Sequence, residues 1–441
     1  MKANWNYVRK FQRPSGQLPL AILPGVAGQT IGQSAPGSRP AQSRVDPNGG
    51  LYTHWVPGDP LRALAAPTFI QNADVLYRYT QDRSWLDEQL PSINLAADQL
   101  ASLTDVDGGV RGAGYYVERP ARIEYDGVAQ CHAADAYRRV AVLNSLSEKR
   151  DAARRYQGLA DRVADHFRRV FWVGDHFAEY IHPERGIVAS HGLTDVDWSA
   201  IATGLASAEQ VAILWPRLKD ERRFEYGGMP AGISTLPDSY EAWEFMTSDR
   251  YDLAAMGRVW YLQCWALARM RDGQRLVDSI HKVCKVGREH GYYWRERYTD
   301  KGGHGVEKYC EYPANLIRIV QRFLMGIEFG LDGTLVIEPV VPNDFWERGF
   351  GQTLAWRGRG LDYRMESQRM TGDYHGDASQ RLTVRLRTPV RSASLRVTIA
   401  EVVTAPTFEA GRLTLVLPAT PDGQPCHFEI QADAVSAPGR K

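Results

Sequence analysis

No apolar run in the sequence approaches the roughly 20 residues that cross a bilayer. The opening MKANWNYVRKFQRPSG also has no apolar centre of the kind a secretory leader needs. A chain of this kind is expected in the cytoplasm, with no membrane partner. Met1 runs directly into polar and aromatic sequence, which leaves open a natural start further upstream. Cysteine is scarce: Cys131, Cys264, Cys284, Cys310 and Cys426 stand singly. Without paired spacing they give neither a zinc motif nor a disulfide framework, and they read as buried thiols of a reducing compartment. An excess of one charge is missing too. The 53 Lys plus Arg against 52 Asp plus Glu, with no long block of either, argue against a nucleic-acid or membrane-surface binder. No glycine-rich phosphate cradle opens a helix and no strands alternate with helices, so nucleotide chemistry is disfavoured. The expected partner is a neutral small molecule or oligosaccharide, and no cofactor or metal is required.

The 441 residues exceed one small core. Residues 12–60, rich in Gly, Pro and Ser, read as extended loop. Across 61–330 the apolar spacing becomes helical and comes in pairs: 61–80 with 84–103, 127–146 with 148–171, 197–206 with 207–219, and 249–271 with 273–288. A last helix follows Pro313. Leu253, Met256, Val259, Trp260, Cys264 and Leu267 recur at three and four, as do Leu316, Ile319, Val320, Phe323 and Leu324, so one face of each helix is buried. Ser207 with Gln210 forms a capping box, and Pro237 and Pro313 sit where first turns accept them. Past Gly330 the period changes to two, as in Leu382, Val384 and Leu386, then Leu395, Val397 and Ile399, then Leu413, Leu415 and Leu417. That alternation predicts an antiparallel sheet domain, a sandwich.

Stacked hairpins gather alternate loops at one end, and five loop segments carry rings beside carboxylates: 53–59 (THWVPGD), 115–127 (YYVERPARIEYDG), 191–198 (HGLTDVDW), 226–244 and 292–311. Rings stack on the apolar faces of sugars and carboxylates accept from hydroxyls, so the repeated pairing suits a carbohydrate. Glycosyl transfer needs one carboxylic acid and one carboxylate. Plainer readings stand beside these. Asp59 and Asp126 also fit turn or cap positions, Asp195 and Asp197 flank a helix start, and Glu241 with Glu244 fits a solvated helical face. His54, His191 and His304 match no metal spacing.

In order, PSGQLP, HWVPGD, LADRVADHFRRVFW, WRERYTD, YPANLIRIVQRFLMGI and DGTLVIEPVVP resemble the six-hairpin glycosidases, and within them are most similar to bacterial α-L-rhamnosidases, over roughly residues 1–370. The resemblance implies a mainly α fold. It would be an (α/α)6 toroid, its first helix not evident here, followed by a C-terminal antiparallel β-sandwich. Residues 1–60 would be its opening loop, 61–330 the catalytic toroid and 331–441 the sandwich. It further implies inverting, exo-acting hydrolysis of a terminal sugar, α-L-rhamnose favoured. In the family a Trp-Glu-Arg-Trp segment carries the base; here Trp294-Arg295-Glu296-Arg297-Tyr298 has an Arg inserted and Tyr298 for the second Trp, and Glu296 inherits the role. The family's acidic segment for the proton donor is missing, so either this chain is a fragment or another carboxylate serves, with Asp126, Glu118 and Asp238 as candidates. The residues expected to line the sugar are His54, Trp55, Asp59, Tyr125, Asp197, Trp198, Trp243, Glu244, Trp294, Arg295 and His304. An α-glucosidase or amylo-α-1,6-glucosidase of the same toroid, a phosphorylase and a non-catalytic carbohydrate-binding fragment remain alternatives. So does a polysaccharide lyase using Tyr292, His304 and Arg295.

Overall fold

Among the described residues, four pairs of consecutive helices come in the predicted order. After a short helix α1 (Lys2–Arg9) they are α2 (Arg62–Thr80) with α3 (Arg83–Ala101), α4 (Gly127–Leu146) with α5 (Arg150–His166), α6 (Asp195–Thr203) with α7 (Ala208–Leu218), and α8 (Gly257–Arg269) with α9 (Gly273–Glu289); α10 (Glu311–Arg318) and α11 (Asn343–Arg348) complete the set. The computed structural model describes residues 1–33, 41–53, 62–112, 124–245, 253–387, 395–409, 412–420 and 422–432. Of the residues singled out above, His54, Trp55, Asp59 and Glu118 lie outside the described residues. Among the described residues no helix is long and apolar enough to cross a membrane.

Two boundaries differ from the spacing. The helix expected over 249–271 starts at Gly257, because Ala255–Met256 is a short strand paired with Arg297 and Tyr298. The helix expected to run to residue 171 ends at His166 and passes into a wider turn, Phe167–Phe171. The turns between hairpin partners are tight: Gln81, Glu148 and Arg271 hold left-handed φ of 52°, 59° and 55°, and Gly204 a φ of 71°.

The chain divides into two compact units. The first comprises Met1–Leu76, Asp82–Arg269 and His281–Asn315, and the second Tyr77–Gln81, Met270–Ile280 and Leu316–Lys441. Within the first, α4 packs against α3, α5 and α6, and α6 against α8. α4 is accordingly buried on most sides, from Cys131 and Tyr137 to Asn144. Its fully buried thiol, Cys131, is pushed up to about 12 by desolvation. The helix starts lie side by side. A Cβ on Gly127 would sit 2.6 Å from Val196, one on Gly257 would sit 3.0 Å from Glu311, and bridges from Thr194 to Ser234 and from Gly232 to Ala255 link the segments between. At the other end, Gly204 after α6 meets the guanidinium of Arg269 on α8. Thus α6 and α8 run in the same direction.

In the second unit the two-residue period becomes two sheets. One joins 327–329, 335–337, 380–384, 412–417 and 407–409, and the other joins 350–356, 359–366, 369–375, 426–432, 395–399 and 402–403. Pairing is antiparallel except between 335–337 and 380–384, which run parallel. Alternate residues such as Leu361, Tyr363 and Met365 or Leu413, Leu415 and Leu417 are buried. Phe329 of the first sheet meets Trp356 of the second at 5.8 Å between ring centroids.

The start of α6 shows how sequence sets an end. Thr194 is the N-cap, its side chain accepting from Val196 N–H, while Asp197 accepts from Thr194 N–H at 2.8 Å and completes a capping box. Thr194→Ala should therefore lower stability by about 1 kcal/mol in chemical denaturation; an unchanged denaturation midpoint would show that the box does not hold the helix.

Candidate active site

The residues 294–309 form a ribbon. Glu296 N–H donates to Val306 O at 3.1 Å and Tyr309 N–H to Trp294 O at 2.9 Å, while Arg297–Thr299 pairs with Gly302–His304. The other edge of Arg297–Tyr298 pairs with Ala255–Met256, which leads directly into α8. Because Gly257 has no side chain, the start of α8 can touch the start of α10: a Cβ there would stand 3.0 Å from Glu311 Cγ and 3.1 Å from Tyr312 N. Asn315 Nδ2 closes the contact by donating to Gly257 O at 3.0 Å. One glycine thus brings the ribbon, α8 and α10 together.

Charged groups converge where these elements meet. Arg297, 4% exposed, holds Nη2 3.2 Å from Glu296 Oε1. Glu296 Oε2 accepts from Val306 N–H at 3.4 Å. Arg258 Nε lies 3.2 Å from Glu311 Oε1, and Glu311 Oε2 is buried without a hydrogen-bond partner. Burial pushes the Glu311 carboxyl above its ordinary value; Arg258 pulls the other way, and the nearby charge of Glu296 adds to the rise. Tyr309 is raised as well, first by burial, with Glu311 and Glu296 adding to the effect of burial against Arg258. Arg258 also walls a cavity of about 580 Å³ whose remaining lining is largely apolar, including Trp5, Leu18, Leu64 and Phe69. Two carboxyl groups, each beside an arginine, lie where these elements meet, and acid–base chemistry can use such a pair. Among the described residues no three His, Cys, Asp or Glu side chains converge as for a metal ion.

The other expected residues have different surroundings. Trp294, 3% exposed, donates its indole N–H to Val283 O at 3.1 Å and lies over Gly287, so it serves packing rather than an open subsite. Arg295 pairs with Glu307, and His304 sits opposite Arg297 in the ribbon. Asp126 is fully buried and caps α4 by accepting from Ala129 N–H at 2.8 Å; as a proton donor it would have to leave that cap. Tyr125 donates its hydroxyl to Asp105. Asp238 is exposed in a short turn. Both oxygens of Asp197 accept backbone N–H groups, from Phe177 and Thr194, and its pKa is raised to about 7 by desolvation. Trp198 is fully buried against Phe224 and Trp215, away from any open sugar face. Trp243 is half-buried under the Arg185 guanidinium. The sequence reading did not single out Glu311 or Arg258; the signal available was a Glu two residues ahead of Pro313, at the close of the 292–311 segment.

Glu244 belongs to a second, fully buried cluster. His191 contacts Glu179 through Nδ1, lies 3.3 Å from Glu244 through Nε2, and stacks on Tyr240 with centroids 3.6 Å apart. Tyr180 donates to Glu244, and Tyr240 to Glu179 at 2.9 Å. Burial opposes the imidazolium, yet the two carboxylates outweigh it and the His191 pKa is raised. Burial likewise opposes the Glu244 carboxylate, but hydrogen bonds from His191 and Tyr180 leave its pKa lowered. This network pins the 240–245 segment to the strands around residue 180.

The fold is rhamnosidase-like. An α-L-rhamnosidase from Dictyoglumus thermophilum is similar to this chain with a TM-score of 0.58 at 13% identity, over 97% of this chain and 43% of that one. A GH78 family rhamnosidase of Bacillus sp. GL1 gives a TM-score of 0.53 at 12% identity, over 68% of this chain and 30% of that one. The chain therefore spans less than half the length of either. No family model matches it, and no curated protein matches it in sequence.

Two outcomes are expected. Gly257→Ala should cost on the order of 1–3 kcal/mol through overpacking between α8 and α10; a melting temperature equal to that of the parent would refute the close contact. Stability from His191 is present below its ordinary pKa of 6.5 and lost as pH rises through the raised folded value, whereas stability from Glu244 is present above its ordinary 4.5 and lost as pH falls through the lowered folded value. The cluster thus contributes fully between about pH 4.5 and 6.5. Melting curves across pH should show the alkaline decline flattened in His191→Gln, and parallel curves would rule the linkage out.

Proposed function

We propose that this chain supplies the catalytic (α/α)6 toroid, residues 1–330, and a C-terminal sandwich, residues 331–441, of an inverting, exo-acting glycoside hydrolase. The favoured terminal sugar is α-L-rhamnose, bound from a small glycoside or oligosaccharide in the cytoplasm. Support comes from the fold shared with two α-L-rhamnosidases. The observation that carries the reading is Glu296, held beside Arg297 where the ribbon, α8 and α10 meet. In this scheme Glu296 takes a proton from a water whose oxygen attacks the anomeric carbon. The bond to the leaving oxygen breaks, and that oxygen receives a proton from a carboxylic acid. A phosphorylase would instead use phosphate as the attacking group, and its activity would depend on added phosphate.

The purified chain, offered aryl α-L-rhamnoside, α-glucoside and β-glucoside, should release the aryl group from the rhamnoside. Glu296→Gln should fold with the parent melting temperature and lose roughly 10²–10⁴-fold in rate. Undiminished hydrolysis by this variant would remove Glu296 from the chemistry, and sugar binding without turnover by the parent would favour a carbohydrate-binding role.

A further inference from the structure

We propose that Arg295 is a positioning residue for Glu296: its side chain braces the returning stretch 303–307, and that brace holds the Val306 N–H against the Glu296 carboxylate. The inference deepens the glycosidase reading and rests on it. Arg295 touches the return at alternate residues, 303, 305 and 307. A Cβ on Gly303 would stand 2.7 Å from Arg295 Cδ and 3.2 Å from its Cγ, so the stem lies across that glycine. Gly303 has no left-handed φ, and the close stem is therefore what excludes a side chain there. Further along, Arg295 Nη1 donates to Gly305 O at 3.5 Å and Nη2 pairs with Glu307. Val306 stands between these last two contacts. Its backbone meets Glu296 twice: Val306 O accepts from Glu296 N–H at 3.1 Å, and Val306 N–H donates to Glu296 Oε2 at 3.4 Å.

The other oxygen of Glu296 is held separately. Arg297 Nε and Nη2 lie 3.3 and 3.2 Å from Oε1. One oxygen is thus tied to the next residue and one to the return, and only the two ties together set the direction of the carboxylate. Val306 is 57% exposed, so core packing does little to fix it and the grip of Arg295 on its neighbours does more. The Arg295 and Glu307 side chains are 40% and 68% exposed, and an ion pair in water adds little to stability. Its effect falls on placement, and a base displaced by about 1 Å can lose roughly 10²-fold in rate. Arg295 therefore acts through Val306 and Glu296, with no contact to the sugar.

Amide NMR of the full chain labelled with ¹⁵N-valine tests the brace without any substrate, the Val306 signal being assigned by its loss in Val306→Ala. Glu296→Gln should move that signal in the parent and move it much less in an Arg295→Gln background, because the contact is already lost there. Equal displacements in the two backgrounds overturn the proposal. With the aryl rhamnoside, Arg295→Gln should keep the parent melting temperature, lower kcat by about 10-fold and leave KM near that of the parent. A raised KM at unchanged kcat would make Arg295 a sugar contact and also overturn it. Gly303→Ala keeps the guanidinium but displaces its stem, and should lower kcat in the same way. Arg295→Lys keeps a cation for Glu307 and should recover part of the loss. A coupled Val306 signal in a parent that hydrolyses nothing would uphold the brace and overturn the glycosidase reading alone.

Discussion

The contact between the start of α8 and the start of α10 at Gly257 governs where the first unit's charged side chains meet. Ion pairs in low-dielectric surroundings do not assemble themselves, because desolvation offsets much of their attraction. They have to be placed by packing that is already favourable. Here Tyr312 supplies that packing, fully buried against Trp260 and Tyr298 with ring centroids 5.8 Å from each. The strand pairing of Ala255–Met256 with Arg297–Tyr298 fixes the third side. Arg258, Arg297, Glu296 and Glu311 are neighbours because apolar rings and backbone pairing hold their main chains there.

The two buried ionic clusters make a useful contrast. Around His191 the two carboxylates and two tyrosine hydroxyls complement one another, and such a satisfied network rigidifies what it joins. Around Glu311 one carboxylate oxygen is left without a hydrogen-bond partner. A polar group left partly unsatisfied is tolerated where a site is arranged for something other than stability. The difference between the clusters lies in completeness, and it draws attention to the second one.

Much of the helical architecture was legible because each helix buries one face, which leaves a three-and-four spacing that needs no knowledge of its neighbours. The start of α8 was not legible: Leu253 and Met256 continue the spacing, but Ala255–Met256 pairs with a strand some forty residues later, and tertiary pairing overrides local pattern. The β region was visible from its two-residue period, but the parallel pairing of 335–337 with 380–384 leaves no local mark. At the site, Glu296 stood out by its neighbours in sequence. Asp197 and Trp198 looked like sugar contacts because an acid beside a ring is chemically apt, yet burial converts the same two residues into a helix cap and core packing. Glu311 was overlooked for the converse reason, since its character comes from burial and from Arg258, some fifty residues away in sequence.

The connections differ in length in a regular way. Those inside hairpins, at Gln81, Glu148, Gly204 and Arg271, are short and locked in left-handed backbone, whereas those between hairpins, such as 172–194, 219–256 and 290–310, are long. A short locked turn fixes how one helix registers against its partner, so lengthening it would shift a whole helix by a fraction of a turn. A long connection can gain or lose residues while helix register stays as it is. Insertions and deletions are thus accommodated in the long connections, while a change in a hairpin turn moves a whole helix against its neighbours.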